Sequence, residues 1–446
     1  MLKKILFIML TVIIANTAYA ERTLNLNEAL DIALKGNHAL RAVEHRQEAK
    51  SEEAYIARSS FLPSLTLEER YLVTDNPTYA FSSRLGQERF EASDFDVSAL
   101  NNPEEIHDYQ TVLSIEQLLY SKQASMGLKM ARHEARAAKL DLKREKESVA
   151  YQVIRAYLGV IVSREYMNVT QKGVQDAEEH KRISRLRYDS GLGLLSDTLR
   201  TEVALKEAQS RLIEARNDHL IAKRMLGLLL GFDDSVDALT PDYSTDEVPA
   251  GDQTSSRSDI MAMELRVENS GNAVDMATSA YLPILAMSGS YILNDHETPF
   301  GSEGESYMVG VQLSWNFFDG GSTGHERAKA HHQQFEAMQI LDGMRKEASM
   351  RIYEASLKMN AGKKALELAL SREDLAEEGH RLIVSRYENS LSTLVELLDA
   401  QSVLDSARAG VIRQKGQYLI AIENYRYQNG TILSDMVSQG GVDLEN

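Results

Sequence analysis

The chain of 446 residues is written twice, and the second copy lies on the first motif by motif. Phe61-Leu62-Pro63-Ser64-Leu65 recurs as Tyr281-Leu282-Pro283-Ile284-Leu285, a shift of 220 from Pro63 to Pro283. Gln117-Leu118-Leu119-Tyr120-Ser121 recurs as Trp315-Asn316-Phe317-Phe318-Asp319, a shift of 198. Arg187-Tyr188-Asp189-Ser190-Gly191-Leu192 recurs as Arg386-Tyr387-Glu388-Asn389-Ser390-Leu391, and Gly231 falls on Gly430, both shifted by 199. The fall from 220 to 198 puts one large length difference between the first two motifs. Two long copies describe a duplicated domain, whereas a solenoid stacks many short ones.

Proline placement says what each copy is made of. Only seven prolines occur, none between Glu104 and Thr240 and none between Phe300 and Asn446. A proline inside a helix costs roughly 3 kcal/mol, so such stretches permit very long helices. The 3.6 period predicts helices over about 27–60, 121–187 and 195–229 in the first copy, and 258–280, 321–386 and 392–427 in the second. Each central helix, near 65 residues, would run about 100 Å at 1.5 Å per residue. Along the first, Leu128, Ala131, Ala135, Ala138 and Leu142 form a small-residue heptad seam that lets another helix approach closely.

Between the helices the period changes to two. Tyr307, Val309, Val311, Leu313, Trp315 and Phe317 alternate with small or polar residues, and Leu285, Met287, Gly289, Tyr291 and Leu293 give a matching run just before them. The first copy repeats the pattern with Leu65, Leu67, Tyr71 and Val73, then Tyr109, Thr111, Leu113 and Ile115. The four strands, about 63–73, 107–120, 283–293 and 306–318, each reach the roughly 9–11 residues of a transmembrane β-strand. A polar loop over about 74–107 carries the extra residues of the first copy.

The organisation is therefore a secretory signal over 1–20, a first repeat over 21–231, a connector over 232–257, a second repeat over 258–430 and a polar tail over 431–446. Lys3 and Lys4, the apolar run Ile5 to Ala15, and Ala18-Tyr19-Ala20 form the signal. With no cysteine, the chain has no disulfide, thiolate metal site or acylated N-terminal cysteine. A formal charge of −17 without a basic run makes nucleic acid an unsuitable partner. His325, His331 and His332 lack the i, i+4 spacing of a chelating pair, so no metal is expected there. Asp319-Gly320-Gly321-Ser322 has no flanking nucleophile pattern. No catalytic residue and no cofactor are expected.

The doubled Leu-Pro strand entries, the strand-to-helix turns Tyr120-Ser121 and Phe318-Asp319-Gly320-Gly321, and the doubled Arg-Tyr helix hairpins together resemble the TolC-like outer membrane factors. These are exit ducts of Gram-negative tripartite efflux pumps and type I secretion systems. The resemblance implies a mainly α fold with a membrane β-barrel. Its unit is a duplicated helix, β-hairpin and long helix, and a homotrimer pools its strands into a 12-stranded barrel continued by a 12-helix periplasmic tunnel. It places the connector in an equatorial region. It implies a protein of the outer membrane that extends into the periplasm and works with a periplasmic adaptor and an inner-membrane transporter. The main rival is a periplasmic coiled-coil adaptor, which shares the signal and the long helical hairpins but has no use for four membrane-length strands.

The resemblance also marks positions. Gly191, Leu192, Gly193, Ser390 and Leu391 match the helix-to-helix turns that meet the adaptor, and Glu396 and Asp399 match an acidic ring at the tunnel entrance. Asp197 and Tyr387 match two members of a latch that holds the tunnel shut, whereas Ser392 stands where the family places an arginine. Arg200, on the helix face near Asp197, is a candidate for the substitute charge.

Overall fold

The structure, a computed structural model, describes residues 22–240 and 257–434. The signal, residues 241–256 of the connector and the tail beyond Ser434 lie outside the described residues. The described chain divides into two compact units. One takes in the described residues of Met1–His45, Leu140–Met261 and Gly343–Asn446, and the other Arg46–Lys139 and Ala262–Asp342.

The first copy runs β1 (Arg22–Leu24), α1 (Leu26–Gly36), α2 (His38–Ser59), β2 (Ser64–Thr74), α3 (Pro77–Gly86), α4 (Val97–Asn101), β3 (Ile106–Tyr120), α5 (Lys122–Asp189), α6 (Leu195–Leu229) and β4 (Val236–Ala238). The second runs α7 (Ser258–Thr278), β5 (Ile284–Asp295), β6 (Gly304–Ser314), α8 (Ser322–Glu388) and α9 (Leu394–Asn429). Helices α5 and α8 are 68 and 67 residues long. Among the described helices, none is long and apolar enough to cross a membrane.

The periodicity predicts one helix over 27–60, but the chain breaks it at Asn37. That residue is extended, and its Oδ1 accepts from the backbone N–H of Ala39 and Leu40 at 2.9 and 3.1 Å. An asparagine after Gly36 both ends one helix and caps the next. At the start of α1, Asn25 and Glu28 form a capping box.

The unit containing α1 has a core of Leu30, Leu40, Ile154, Leu158, Leu226 and Ile432, all nearly or fully buried. Tyr157 lies inside it with its hydroxyl 3.0 and 2.6 Å from the carbonyl oxygens of Leu24 and Leu239. These carbonyls flank the short parallel pair of β1 and β4, so one buried phenol ties the pair to α5. Burial pushes its pKa up to about 12.

The other unit is built on one antiparallel sheet of order β2-β3-β5-β6. Register fixes its faces. Leu67 pairs with Leu113, Leu113 with Tyr291, and Tyr291 with Tyr307, all on one side. That side is apolar and open, with Leu65 and Val309 each 70 % exposed. Thr66, Ser114, Ser290 and Met308 are aligned on the opposite face, where Arg70 donates to Gln110 at 2.6 Å. Trp315 and Phe317 lie past the end of β6, and the Trp315 indole N–H donates to the carbonyl of Tyr281 at 3.0 Å.

The reading of 74–107 as a polar loop needs correction: α3, a 3-10 turn at Ala92–Phe95, and α4 fold within it. Asn76 caps α3 ahead of Pro77. Phe90 packs edge-to-face against Phe81 and Phe95 at 4.8 and 5.1 Å between ring centroids. Elements this short carry too few turns for a helical period to appear.

Candidate functional site

The positions marked at the helix-to-helix turns come together at the α5–α6 and α8–α9 junctions, which have the same backbone geometry. Gly191 takes a left-handed φ of +72° and Ser390 one of +64°. After α5, the N–H of Gly191 donates to Tyr188 and that of Leu192 to Arg187. After α8, Ser390 donates to Tyr387 and Leu391 to Arg386. Each turn is thus a C-terminal helix cap closed by one residue at positive φ. The turns leave Leu192 and Leu391 uncovered, 73 % and 69 % exposed.

Between the junctions lies Tyr387, 5 % exposed and clustered with Leu394 and Leu397. From the first copy Ile183 packs on this cluster, and Arg187, which the sequence reading names in the Arg-Tyr motif without a site role, reaches Tyr387 itself. The Arg187 guanidinium donates to the Tyr387 carbonyl at 2.8 Å and to Ser390 Oγ at 3.2 Å, and its carbon sits 4.8 Å from the Tyr387 ring centroid. Burial raises the Tyr387 phenol pKa, the Arg187 charge opposes that, and the Asp197 charge adds to it. No hydrogen bond joins Asp197 to Tyr387 among the described residues. Arg200 is exposed and faces a cavity of about 660 Å3 that His180, Gln401 and Asp405 also line.

Glu396 has a local task in the described chain. It is the third residue of a capping box: its Oε2 accepts from the Thr393 N–H at 2.7 Å, and Thr393 Oγ1 accepts from the Glu396 N–H at 3.3 Å. The Thr393 backbone bond holds the Glu396 carboxyl below its ordinary pKa. Asp399 is exposed one turn further along α9.

A second polar group escaped the sequence reading. His180 Nε2 is 3.2 Å from Gln401 Oε1, and Gln401 donates to Asp405 at 2.8 Å and to Asp176 at 3.3 Å. Arg408 reaches Asp176 at 3.8 Å, and the His180 and His380 rings lie 6.0 Å apart. Burial, then the charge of His180, lowers the His380 pKa, while Asp176 and Asp405 oppose them. The near-equivalence of His180 and His380 was a usable signal, but their spacing of 200 misses the 199 repeat by one residue.

Among the described residues, Asp295, His296 and Glu303 bring potential ligand atoms within 4.8 Å of one another. There Glu303 Oε2 already accepts from the His296 backbone N–H at 3.2 Å and lies 2.6 Å from Nδ1, while Asp295 Oδ1 accepts from the N–H groups of Glu297 and Thr298. The group closes the β5–β6 loop by hydrogen bonding.

The model of the outer membrane efflux proteins matches residues 29–232 and 252–426. The chain belongs to the outer membrane efflux protein family. It is an outer membrane exit duct extending into the periplasm, which rules out the periplasmic adaptor, and it is not an enzyme. It is 23% identical over 343 residues to the alkaline protease secretion protein AprF of Pseudomonas aeruginosa, covering 73% of this chain and 70% of that protein. It is 19% identical to the outer membrane protein TolC of Vibrio cholerae, covering 97% and 96% of the two chains. The CmeC outer membrane channel of Campylobacter jejuni superposes with a TM-score of 0.77 at 16% identity, over 94% of this chain and 90% of that one. The open MtrE channel of Neisseria gonorrhoeae gives 0.75 at 18% identity, over 91% and 89%. Both structures share the fold.

Proposed function

We propose that three copies pool their sheets into one 12-stranded barrel, continued into the periplasm by twelve helices, α5, α6, α8 and α9 of each copy. The observation that carries this is the sheet itself. Among the described residues, the outer edges of β2 and β6 pair with no strand, and the apolar face is open. Lipid tolerates neither an unpaired strand edge nor an unclosed sheet, whereas an apolar band is what it requires. Four strands are too few to close a barrel, and twelve leave a lumen lined by the polar face.

Within this reading the two repeats are the structural units of each protomer, joined by the connector. The duct takes substrate from a periplasmic adaptor and an inner-membrane pump without energy or bond chemistry of its own. Gly191, Leu192, Gly193, Ser390 and Leu391 form the tips that meet the adaptor. The exposed Leu192 and Leu391 support this, because paired apolar side chains at a turn suit a partner helix better than water. The latch would be Asp197 and Tyr387, with Arg187 in place of the charge absent at Ser392. Asp197→Ala is expected to raise the closed-channel conductance. Three copies of Glu396 and Asp399 would ring the entrance.

Light scattering corrected for detergent, followed by single-channel recording, tests the assembly. A trimer that needs detergent and conducts is the expected result. A monomer soluble without detergent would remove the pooled barrel.

A further inference from the structure

We infer that the segment between β2 and β3, residues 76–102, is a folded collar on the lumen side of the barrel that sets the size of solute able to pass its outer mouth. The inference rests on the barrel reading above, which makes the polar face the inner one.

Register decides which face the segment covers. Arg70, Gln110, Asn294 and Gly304 are successive cross-strand partners and so share the polar face. Asp108, two residues before Gln110, lies on it too. The segment docks on Asp108, Asn294 and Gly304 of this face. Gln87, 1 % exposed, donates from Nε2 to Asp108 Oδ1 at 2.9 Å and to the His107 carbonyl at 2.8 Å. Asn294 Nδ2 donates to the same Asp108 carboxylate at 3.0 Å. At β6 the approach is backbone on backbone, since a Cβ on Gly304 would lie 2.1 Å from the Gly86 carbonyl oxygen. Asp108 and Asn294 are consequently 3 % and 6 % exposed. A carboxylate so buried is tolerated because each donor aimed at it is in place.

The corresponding loop of the second copy goes the other way. Its Phe300 N–H points at Glu69 on the apolar face, 3.4 Å from Oε1. The two loops therefore part at the sheet end, and the inner face is left to the longer one.

The segment is built to hold a shape. Besides the aromatic trio, the Arg84 guanidinium binds Asp94 at 2.5 Å and joins α3 to the 3-10 turn. Threefold symmetry would set three such bodies at one level of the lumen. Phe95 and Val97, 66 % and 70 % exposed, remain uncovered on the segment.

The chain lacks cysteine, so a single Ser288→Cys on the polar face, six residues from Asn294, gives a clean reporter inside the barrel. Reconstituted trimers are labelled from the outer side with thiol reagents of graded size. Two variants accompany the parent: Gln87→Ala, which undocks the segment, and replacement of residues 77–101 by a short Gly-Ser linker. Small reagents should label all three alike. The size cut-off should shift to larger reagents in both variants, and bulky reagents should label them faster than the parent. An unchanged cut-off in variants that still form conducting trimers overturns the collar. Conducting trimers in which even the smallest reagent leaves Ser288→Cys unlabelled would instead sink the assignment of the polar face to the lumen.

Discussion

Arg187 of the first copy closes the end of a helix in the second, donating to the carbonyl oxygen of Tyr387 at 2.8 Å while its guanidinium lies over the same residue's ring. The carbonyls of a helix's last turn have no partner within the helix; that of Tyr387 accepts from the Ser390 N–H of the cap, and the cation adds a second, charged donor that also complements the helix dipole. One residue thereby links the two copies at their turns.

Arg187→Ala should lower stability by about 1–2 kcal/mol, since it removes a charge-assisted bond from a half-buried carbonyl. Arg187→Lys should recover part of the loss, because a lysine cannot donate to Tyr387 and Ser390 with the same planar fork. Urea midpoints of the three proteins check this order. A midpoint for Arg187→Ala equal to the parent's would leave the contact without energetic weight.

The two turns predict opposite effects at equivalent positions. Nothing lies within 4 Å of a Cβ built on Gly191, so Gly191→Ala carries only the backbone cost of its φ of +72°, about 1 kcal/mol. Ser390→Gly relieves the same cost in the second copy but gives up the bond from Arg187. Its net effect should be a stabilisation of a few tenths of a kcal/mol. Paired melting curves decide both signs.

Glu396 separates capping from selectivity. Glu396→Gln keeps the geometry of a capping box and should leave the melting temperature unchanged, whereas Thr393→Ala should cost about 1 kcal/mol. Glu396→Gln combined with Asp399→Asn should lower cation preference in single-channel reversal potentials. An unaltered preference would restrict Glu396 to its local role.

His380 makes stability depend on pH. Burial holds its folded pKa below the ordinary value, so the unfolded chain takes up the proton first as pH falls. Stability contributed by the neutral ring is complete above about pH 6.5 and is lost as pH drops through the lower folded pKa. His380→Gln should flatten the fall in melting temperature between about pH 7 and pH 5. Equal slopes for the two proteins would show that His180, Asp176, Asp405 and Arg408 absorb the change.

The sheet faces predict a parity effect. Val309→Arg places a cation in the apolar band at a cost of about 2–4 kcal/mol near the bilayer midplane. Gly310→Arg, one residue on, points to the polar face and should assemble. Trimer yield in detergent after folding into lipid reads the difference.

The sequence by itself determined the duplication, the four strands with their two faces, and the long proline-free helices. Each of these is a periodic signal summed over many residues, and Pro63 and Pro283 mark equivalent entries. The repeat also located the two turns, aligning Gly191 with Ser390, while Tyr387 was marked by the family resemblance. Tertiary structure alone decided the partners. Arg187 resembles any arginine near a helix end until the turn of the other copy is placed beside it. Gln87, Asp108 and Asn294 are ordinary polar residues until a fold brings them together from positions up to 207 apart. Periodicity records which way a side chain points along its own element. What that side chain meets depends on contacts between segments distant in the chain, and local pattern carries no record of those.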